Sequence, residues 1–410
     1  MAIMKIEMVS FRNHSRMHIE FSKGLNVIWG ENGSGKTGVL EAIHSLSFGK
    51  SFRTNRHKEL LKTDDDFLKI KGTFNKNNEK EIITLHQNRK GERRFHINKA
   101  PILGLKELMG KNLVVVLSPE EQVVTKGPPA NRRQFFDKIF SVISKAYIET
   151  LVQYHRILKQ RNAVLINIRE NRSNKSELDA WDSSIAQEAV SLWGKREKLL
   201  LEYNEELKKV AKDFSEEEPI AIDYTSAIYS QEKTIETLNK NKQRDILTGI
   251  TNFGPHRDDF KISWNTKDVK KYGSQGEHKI SLVLMKLAEL FYIAKSTKQT
   301  PTLLLDDLFA KLDSGRSRKV VDLIKRFEKQ SGNEIQTIIT TTDLIDLEKV
   351  LALFSSILLK KISYLFEEFL ISKKLSVFNQ ISPKCFPISF FVKKSYISNS
   401  LPLTPYLPSL

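Results

Sequence analysis

Gly30-Glu31-Asn32-Gly33-Ser34-Gly35-Lys36-Thr37 follows the pattern G-x-x-x-x-G-K-[ST], and its neighbours give that pattern a structural context. The preceding Leu25-Asn26-Val27-Ile28-Trp29 reads as a buried strand, and the following Val39-Leu40-Glu41-Ala42-Ile43 opens a helical apolar rhythm. Strand, glycine loop and helix in this order make a phosphate cradle. The glycines permit tight turns that aim successive N–H groups at phosphate oxygens, and the helix start favours an anion. In such a cradle Lys36 reaches the β- and γ-phosphates, while the Thr37 hydroxyl ligates Mg²⁺. A Gly-rich turn with a surface lysine is the competing reading, and the flanking strand and helix argue against it.

An acidic strand end is the natural complement of this loop, because Mg²⁺ on a nucleotide needs carboxylate support. Leu303-Leu304-Leu305-Asp306-Asp307 supplies one. Asp306 is the expected metal-side carboxylate. Asp307 is placed to position or polarise an attacking water, although many related ATPases carry Glu there and the shorter side chain is expected to slow hydrolysis. Upstream, Tyr272-Gly273-Ser274-Gln275-Gly276-Glu277-His278-Lys279 opens a helix, with Ser274 as its expected N-cap. The backbone around Gly276 then presents N–H groups and positive helix-end potential to an anion. An isolated S-x-G stretch is usually only a cap; its place just before the acidic strand gives it weight.

Composition sets wider bounds. The 410 residues allow two or three domains, and 40% hydrophobic content suffices for packed cores. A formal charge of +17 favours a polyanionic partner, nucleic acid above all, against the alternative of a diffusely lysine-rich surface. Cys385 is the only cysteine, which excludes an internal disulfide and a Cys-rich metal site and fits a reducing cytoplasm. No apolar run is long enough to span a bilayer and the N-terminus lacks a signal-peptide pattern, so neither export nor a membrane span is expected.

Along the chain, alternating apolar residues predict strands at Lys5–Val9, Met17–Phe21, Leu68–Gly72, Ile82–His86 and Arg94–Ile97, with Leu113–Leu117 more deeply buried. From Ala130 to about Leu247 such runs are lacking, and the stretch reads as long charged helices. Strand and helix then alternate again through Phe260–Trp264, His278–Ala294, Thr302–Asp306, Ser314–Glu328 and Thr337–Thr340. The expected architecture is an α/β nucleotide-binding head split in sequence, with parts at 1–118 and 248–350 and a mainly helical arm at 119–247. Residues 351–410 form an atypical tail: no Gly, no Asp, five of the twelve prolines and the single Cys. Seven Lys against two Glu leave it a net charge of five, so most of the basic character lies in residues 1–350. An apolar rhythm from Leu353 to Leu370 predicts an amphipathic helix, and the prolines beyond it argue against further regular structure.

These elements together resemble the RecF family of bacterial recombination-repair ATPases, whose heads are related to SMC and ABC ATPases. The resemblance runs through Phe11-Arg12-Asn13-His14, the glycine loop, Lys50-Ser51-Phe52-Arg53-Thr54, Ser118-Pro119-Glu120 and Gly127-Pro128-Pro129-Ala130-Asn131-Arg132-Arg133-Gln134-Phe135-Phe136-Asp137. It continues through Gln160-Arg161-Asn162, Thr251-Asn252-Phe253-Gly254-Pro255-His256-Arg257-Asp258-Asp259, Ser274-Gln275-Gly276, Leu304-Leu305-Asp306-Asp307 with Lys311-Leu312-Asp313, and Thr340-Thr341-Thr342-Asp343. It covers nearly all of residues 1–350. Two departures stand out. Glu277-His278-Lys279 replaces the usual Gln-Gln-Arg after Ser-Gln-Gly, placing a carboxylate near an expected phosphate contact, where it would weaken ATP-driven assembly. The tail fits either a shifted reading frame or a lineage-specific extension.

The resemblance implies an SMC/ABC-like head with ATP and Mg²⁺ as cofactors, dimerising when Ser274 and Gly276 of one chain close over ATP held by Gly30–Thr37 of another. It also implies weak, DNA-stimulated hydrolysis acting as a release timer, with Lys36, Asp306 and Asp307 carrying it. Arg12 is expected to face the nucleotide. The implied role is repair of single-strand gaps: binding gapped or junction DNA, helping to place recombinase on single strands with RecR- and RecO-like partners, and SOS induction. Basic residues that suit DNA phosphates are Arg53, Arg56, Lys58, Arg89, Lys90, Arg93, Arg94, Arg132 and Arg133, all sequence-neutral contacts. Phe135 and Phe136, at helical spacing, read as core, and His256 as a structural or interface residue. Two alternatives remain open at this level: the soluble ATPase subunit of a transporter, and a DNA clamp that ATP bridges without hydrolysis.

Overall fold

In the computed structural model, residues 2–76, 79–215, 220–225, 230–307, 313–342 and 389–392 are described. Five parallel strands form the central sheet in the order Ser389–Val392, Leu25–Trp29, Thr337–Thr341, Thr302–Asp306, Val114–Leu117. A parallel sheet hides both faces, so its strands read as continuous apolar runs. Val114, Val116, Leu304 and Ile338 face one core, while Val115, Leu117, Leu303, Leu305 and Ile339 face the other.

The first core is closed by the helix Lys36–Phe48 and by a six-stranded antiparallel sheet. That sheet contains Ala2–Phe11, His14–Glu20, Phe67–Lys76, Glu79–Asn88, Arg93–Ile97 and the short Ala100–Pro101. The helix lies so close to this sheet that a Cβ at Gly72 would come within 2.6 Å of Leu46. The expected strands here are all present. The second core joins the sheet to the helix Gln275–Thr297 and to the arm.

The arm is built from the helices Pro129–Ile143, Lys145–Arg169, Glu177–Ser215 and Gln231–Thr248. The 39-residue third helix extends roughly 60 Å at 1.5 Å per residue. Local signals fix the ends: Pro129 opens the first helix, the Ser144 side chain accepts from the Tyr147 N–H at 3.2 Å, and Gly249 closes the fourth at φ 69°. One expectation is corrected. The arm is not free of strands, because Ile220–Thr225 pairs antiparallel with Asp259–Trp264, which in turn pairs with Lys267–Asp268. Alternation at Ile220, Ile222 and Tyr224 carried that signal within a charged neighbourhood. This small sheet joins residues on both sides of position 247, so Asp259–Trp264 packs with the arm.

In the tail, Ser389–Val392 adds to the free side of Leu25–Trp29 in parallel register, despite the prolines nearby. The expected helix from Leu353 to Leu370 lies outside the described residues. No helix among the described residues is long and apolar enough to cross a membrane.

Candidate nucleotide site

Three strands of the parallel sheet end at one edge, where ligands of such sheets bind. Leu25–Trp29 delivers Gly30–Thr37, Thr302–Asp306 delivers the acidic pair, and Thr337–Thr341 lies between them. Gly33 and Gly35 adopt φ of 79° and 93°, the left-handed region that suits glycine. A side chain at Gly35 would also collide with the turn before the second strand: its Cβ would sit 2.4 Å from His14 Nε2 and 2.5 Å from Asn13 Oδ1. That turn braces the loop. Asn13 Nδ2 donates to the Gly33 carbonyl at 2.6 Å, and His14 Nε2 lies 3.0 Å from the Gly35 carbonyl.

Lys36 Nζ donates to the carbonyls of Gly30 and Glu31 at 2.7 and 2.9 Å, so its ammonium is held over the loop. Partial burial moves Lys36 below the usual lysine range, against the charges of Asp307 and Asp306. The Thr37 hydroxyl donates to Asp306 Oδ1 at 2.9 Å, joining groups 269 residues apart. Thr340 Oγ1 donates to the same oxygen at 2.7 Å. Burial raises the Asp306 carboxyl above its ordinary value; bonds from Thr340 and Thr37 oppose this, Glu120 adds to it, and Arg53 opposes it. Thr37 and Asp306 thus converge as hard oxygen donors suited to Mg²⁺. Asp307 follows with φ 50°, an uncommon conformation for a residue with a side chain, and its N–H donates to the Thr340 carbonyl and hydroxyl, both at 3.2 Å.

The Ser274 element forms a reciprocal cap. Ser274 Oγ accepts from the Glu277 N–H at 3.2 Å, and Glu277 Oε2 accepts from the Ser274 N–H at 2.6 Å. The Ser274 bonds hold the Glu277 carboxyl below its ordinary range. Glu277 is therefore turned back onto its own helix end, which sequence reading did not foresee although S-x-x-E is a cap pattern. Gly276 stands beside Arg316, whose Nη1 would lie 3.7 Å from a Cβ there, and Arg316 Nε is 3.4 Å from Asp313 Oδ2.

Several expected contacts are placed differently. Arg12 Nε and Nη2 donate to the buried Glu41 at 2.8 and 2.5 Å, and Nη1 donates to the Glu59 carbonyl. Its guanidinium braces the helix that follows the loop, and a nucleotide contact would require exchanging these bonds. Arg132, expected on a DNA-facing surface, is 3% exposed and grips Asp259 at 2.7 and 2.8 Å. Its neighbour Arg133 is half-buried and donates to the Asp258 carbonyl. Desolvation explains Arg132: an arginine this enclosed is held by the Asp259 carboxylate and the Gly127 carbonyl, leaving no fork for phosphate.

Arg53 is exposed but belongs to the nucleotide neighbourhood. Its Nε is 3.5 Å from Glu120 Oε1, and its charge acts on Asp306. Arg56, Lys58, Arg89, Lys90 and Arg94 are exposed, whereas Arg93 lies over Phe95 and donates to the Gly49 carbonyl. Bonds from Gln87 to the His57 carbonyl and from Arg89 to the Asp65 carbonyl bring the segments around 56–66 and 87–94 together. Those segments carry five exposed cations, of which Arg56 is paired with Glu59 and Arg89 with Asp66.

The Gly-Pro-His-Arg-Asp-Asp block is structural. Tyr154 Oη lies 2.6 Å from His256 Nδ1, Trp193 Nε1 donates to Asp258 at 2.7 Å, and Asp259 holds Arg132. Burial lowers His256 to about 4, despite its bond with the Thr251 carbonyl. Phe136 is buried and stacks on Phe260 with centroids 4.3 Å apart, as core rather than a base-stacking platform.

With this geometry in place, residues 2–358 match the family described as the RecF/RecN/SMC N terminal domain. The chain is 36% identical over 356 residues to the "DNA replication and repair protein RecF" of Clostridium perfringens, covering 86% of this chain and 96% of that relative. It is 35% identical to the protein of the same name from Ruminiclostridium cellulolyticum, covering 84% and 93%. Among solved structures it is similar to "the recombination mediator protein RecF-ATP in RecFOR pathway", with TM-score 0.76, 31% identity and coverage of 83% and 92%. The counterpart with ATPrS gives TM-score 0.74, 30% identity, and coverage of 84% and 93%.

Proposed function

The chain belongs to the RecF family of SMC-type ATPase heads, and from that premise we propose that it is an ATP-dependent DNA-binding protein of recombinational repair and replication. Lys36, Thr37 and Asp306 bind Mg·ATP, and Asp307 supports slow hydrolysis that DNA stimulates. Ser274 and Gly276 complete the site of a second chain, so ATP joins two heads and hydrolysis separates them. Chemistry of this kind works by linkage: a γ-phosphate shared between chains favours the dimer in proportion to its affinity for the paired state.

The observation that carries this reading is the bond from Thr37 to Asp306, which unites the loop and the acidic strand end in one part-buried polar site. For DNA, the exposed rim of Arg56, Lys58, Arg89, Lys90 and Arg94 is the proposed phosphate-binding surface, replacing Arg132 and Arg133. Its targets are gapped and junction DNA with single-stranded segments, and its partners are RecR- and RecO-like proteins in recombinase loading and SOS induction. A cytoplasmic location follows from that substrate. The transporter alternative loses its ground with family membership, and DNA-stimulated turnover would exclude a clamp that never hydrolyses.

The test is particle mass with and without Mg·ATP and gapped DNA, for the native chain and Lys36→Arg. The native chain is expected to double in mass only with ATP, and Lys36→Arg to stay single and bind DNA without ATP dependence. A native chain whose mass and DNA affinity ignore ATP would overturn the proposal.

A further inference from the structure

The six-stranded antiparallel sheet has two faces of opposite chemistry. Leu68, Ile70, Leu85 and Phe95 point inward and close the first core. On the outward face, strand register sets Arg94, His86, Lys69, Val9 and Arg16 in one row, each opposite the next on a neighbouring strand. At about 4.8 Å between strands, the row spans roughly 19 Å. Its three cations have no ion pair among the described residues. In the adjoining row the one carboxylate, Glu7, is already shared by Lys5 and Lys71 at 3.1 and 3.5 Å.

Flat rings accompany these charges. Phe67 stands on the same face two residues before Lys69, opposite Asn88, and is 56% exposed. A lone exposed phenylalanine is ordinary on a protein surface, but this one opens the strand that continues outward with Lys69 and Lys71. The adjacent Asp66 is drawn to Arg89, 3.6 Å away. His86 meets His96 edge-on with centroids 5.9 Å apart. Burial, followed by the charge of Lys69, holds His86 below the usual histidine range, so near neutral pH it is an uncharged ring. Unpaired cations in a line, with rings beside them on an open sheet face, match an extended single strand of nucleic acid: phosphates meet the cations and unpaired bases lie on the rings. A duplex stacks its bases on one another and offers Phe67 no free base.

We propose that the outward face of this sheet seats the single-stranded part of the DNA, with Arg94, Lys69 and Arg16 on its phosphates and Phe67 stacked on a base. The proposal rests on the DNA-binding reading above and deepens it. Arg94 belongs both to the rim with Arg56, Lys58, Arg89 and Lys90 and to the row across the sheet. A strand that leaves a duplex on the rim therefore passes onto the sheet at Arg94. A junction is favoured over either form of DNA alone because it fills both surfaces at once.

The experiment is anisotropy titration of the full chain, across a range of salt, with labelled oligothymidylate of about twelve nucleotides and with a duplex of the same length. Phe67→Ala is expected to weaken oligothymidylate binding about tenfold and duplex binding less than about twofold, with the salt slope unchanged. Lys69→Ala should lower the slope of log affinity for oligothymidylate against log salt by about 0.7. Phe67→Trp should restore affinity, and its added indole emission should be quenched by bound oligothymidylate, a signature that a merely structural role would not give. Both side chains lie outside the core, so the unfolding midpoint checks that the variants fold. Native affinity in Phe67→Ala, or no added quenching in Phe67→Trp, overturns the proposal. So does polyglutamate that displaces oligothymidylate charge for charge, which would mark the face as a seat for an acidic protein segment. A native chain that binds duplex but not oligothymidylate sinks this proposal and leaves the DNA-binding reading standing, whereas one that binds neither sinks both.

Discussion

The nucleotide site and the base of the arm are both dense in charged motif residues, yet they are organised oppositely. At the arm base the charges close on one another. Arg161 is wholly buried between Asp182 at 2.6 Å and Asp245 at 2.9 Å, Arg196 is held by Asp137, and Arg132 by Asp259. At the nucleotide site, Lys36 donates to loop carbonyls, and Thr37 and Asp306 turn oxygens toward each other at a part-buried edge of the sheet. Charge paired within the fold specifies shape, whereas charge held by weak or exchangeable contacts can receive a ligand. Motif density alone does not distinguish these cases.

The comparison breaks most visibly if the arm charges are not structural. Arg161→Ala is expected to cost about 3–5 kcal/mol of stability, because it strands two buried carboxylates, while ATP affinity of the folded fraction stays near native. Denaturant unfolding with parallel nucleotide titration checks both. Asp306→Asn should do the reverse: turnover falls roughly 100-fold or more, since the metal-side charge is lost, and the unfolding midpoint holds because Thr37 and Thr340 keep an acceptor.

Acid sharpens the contrast next. His256 titrates at about 4 in the fold and near 6.5 when unfolded, so the unfolded chain binds more protons between those values. Stability at the arm base is full above pH 6.5, falls as pH drops toward 4, and loses on the order of 3 kcal/mol in all. Unfolding curves across that window should show this, and His256→Asn should flatten the slope.

Salt dependence separates two kinds of arginine. Arg94→Ala should leave stability alone and reduce the slope of log affinity for DNA against log salt by about one. Arg132→Ala should leave that slope unchanged in the folded protein while lowering the melting temperature. The smallest effect belongs to Glu277→Ala, which loses half of the reciprocal cap for about 0.5–1 kcal/mol and, in the dimer reading, tightens ATP-dependent pairing.

Much of this was legible in the chain. The loop at Gly30–Thr37, the acidic end at Asp306, the Ser274 cap and most strands of the head follow from patterns only a few residues long, because backbone hydrogen bonding and side-chain periodicity are local. The partners of the arginines were not legible. Arg53, Arg94 and Arg132 look alike in sequence, and only folding puts Arg132 against Asp259, 127 residues away, leaves Arg94 in solvent, and sets Arg53 beside Glu120. The strand Ile220–Thr225 was obscured for the same reason, since its pairing strand begins 34 residues after it ends.

By itself, then, the sequence determined the glycine loop between strand and helix, the acidic strand end and the split head, all of which rest on short-range rules of backbone geometry. Only the tertiary structure decided which charges are spent: that Arg12 belongs to Glu41, that Glu277 caps its own helix, and that Glu121 reaches Lys286. The physical reason is that burial fixes the cost of a charge, and burial is a property of the whole packed chain rather than of any residue in it.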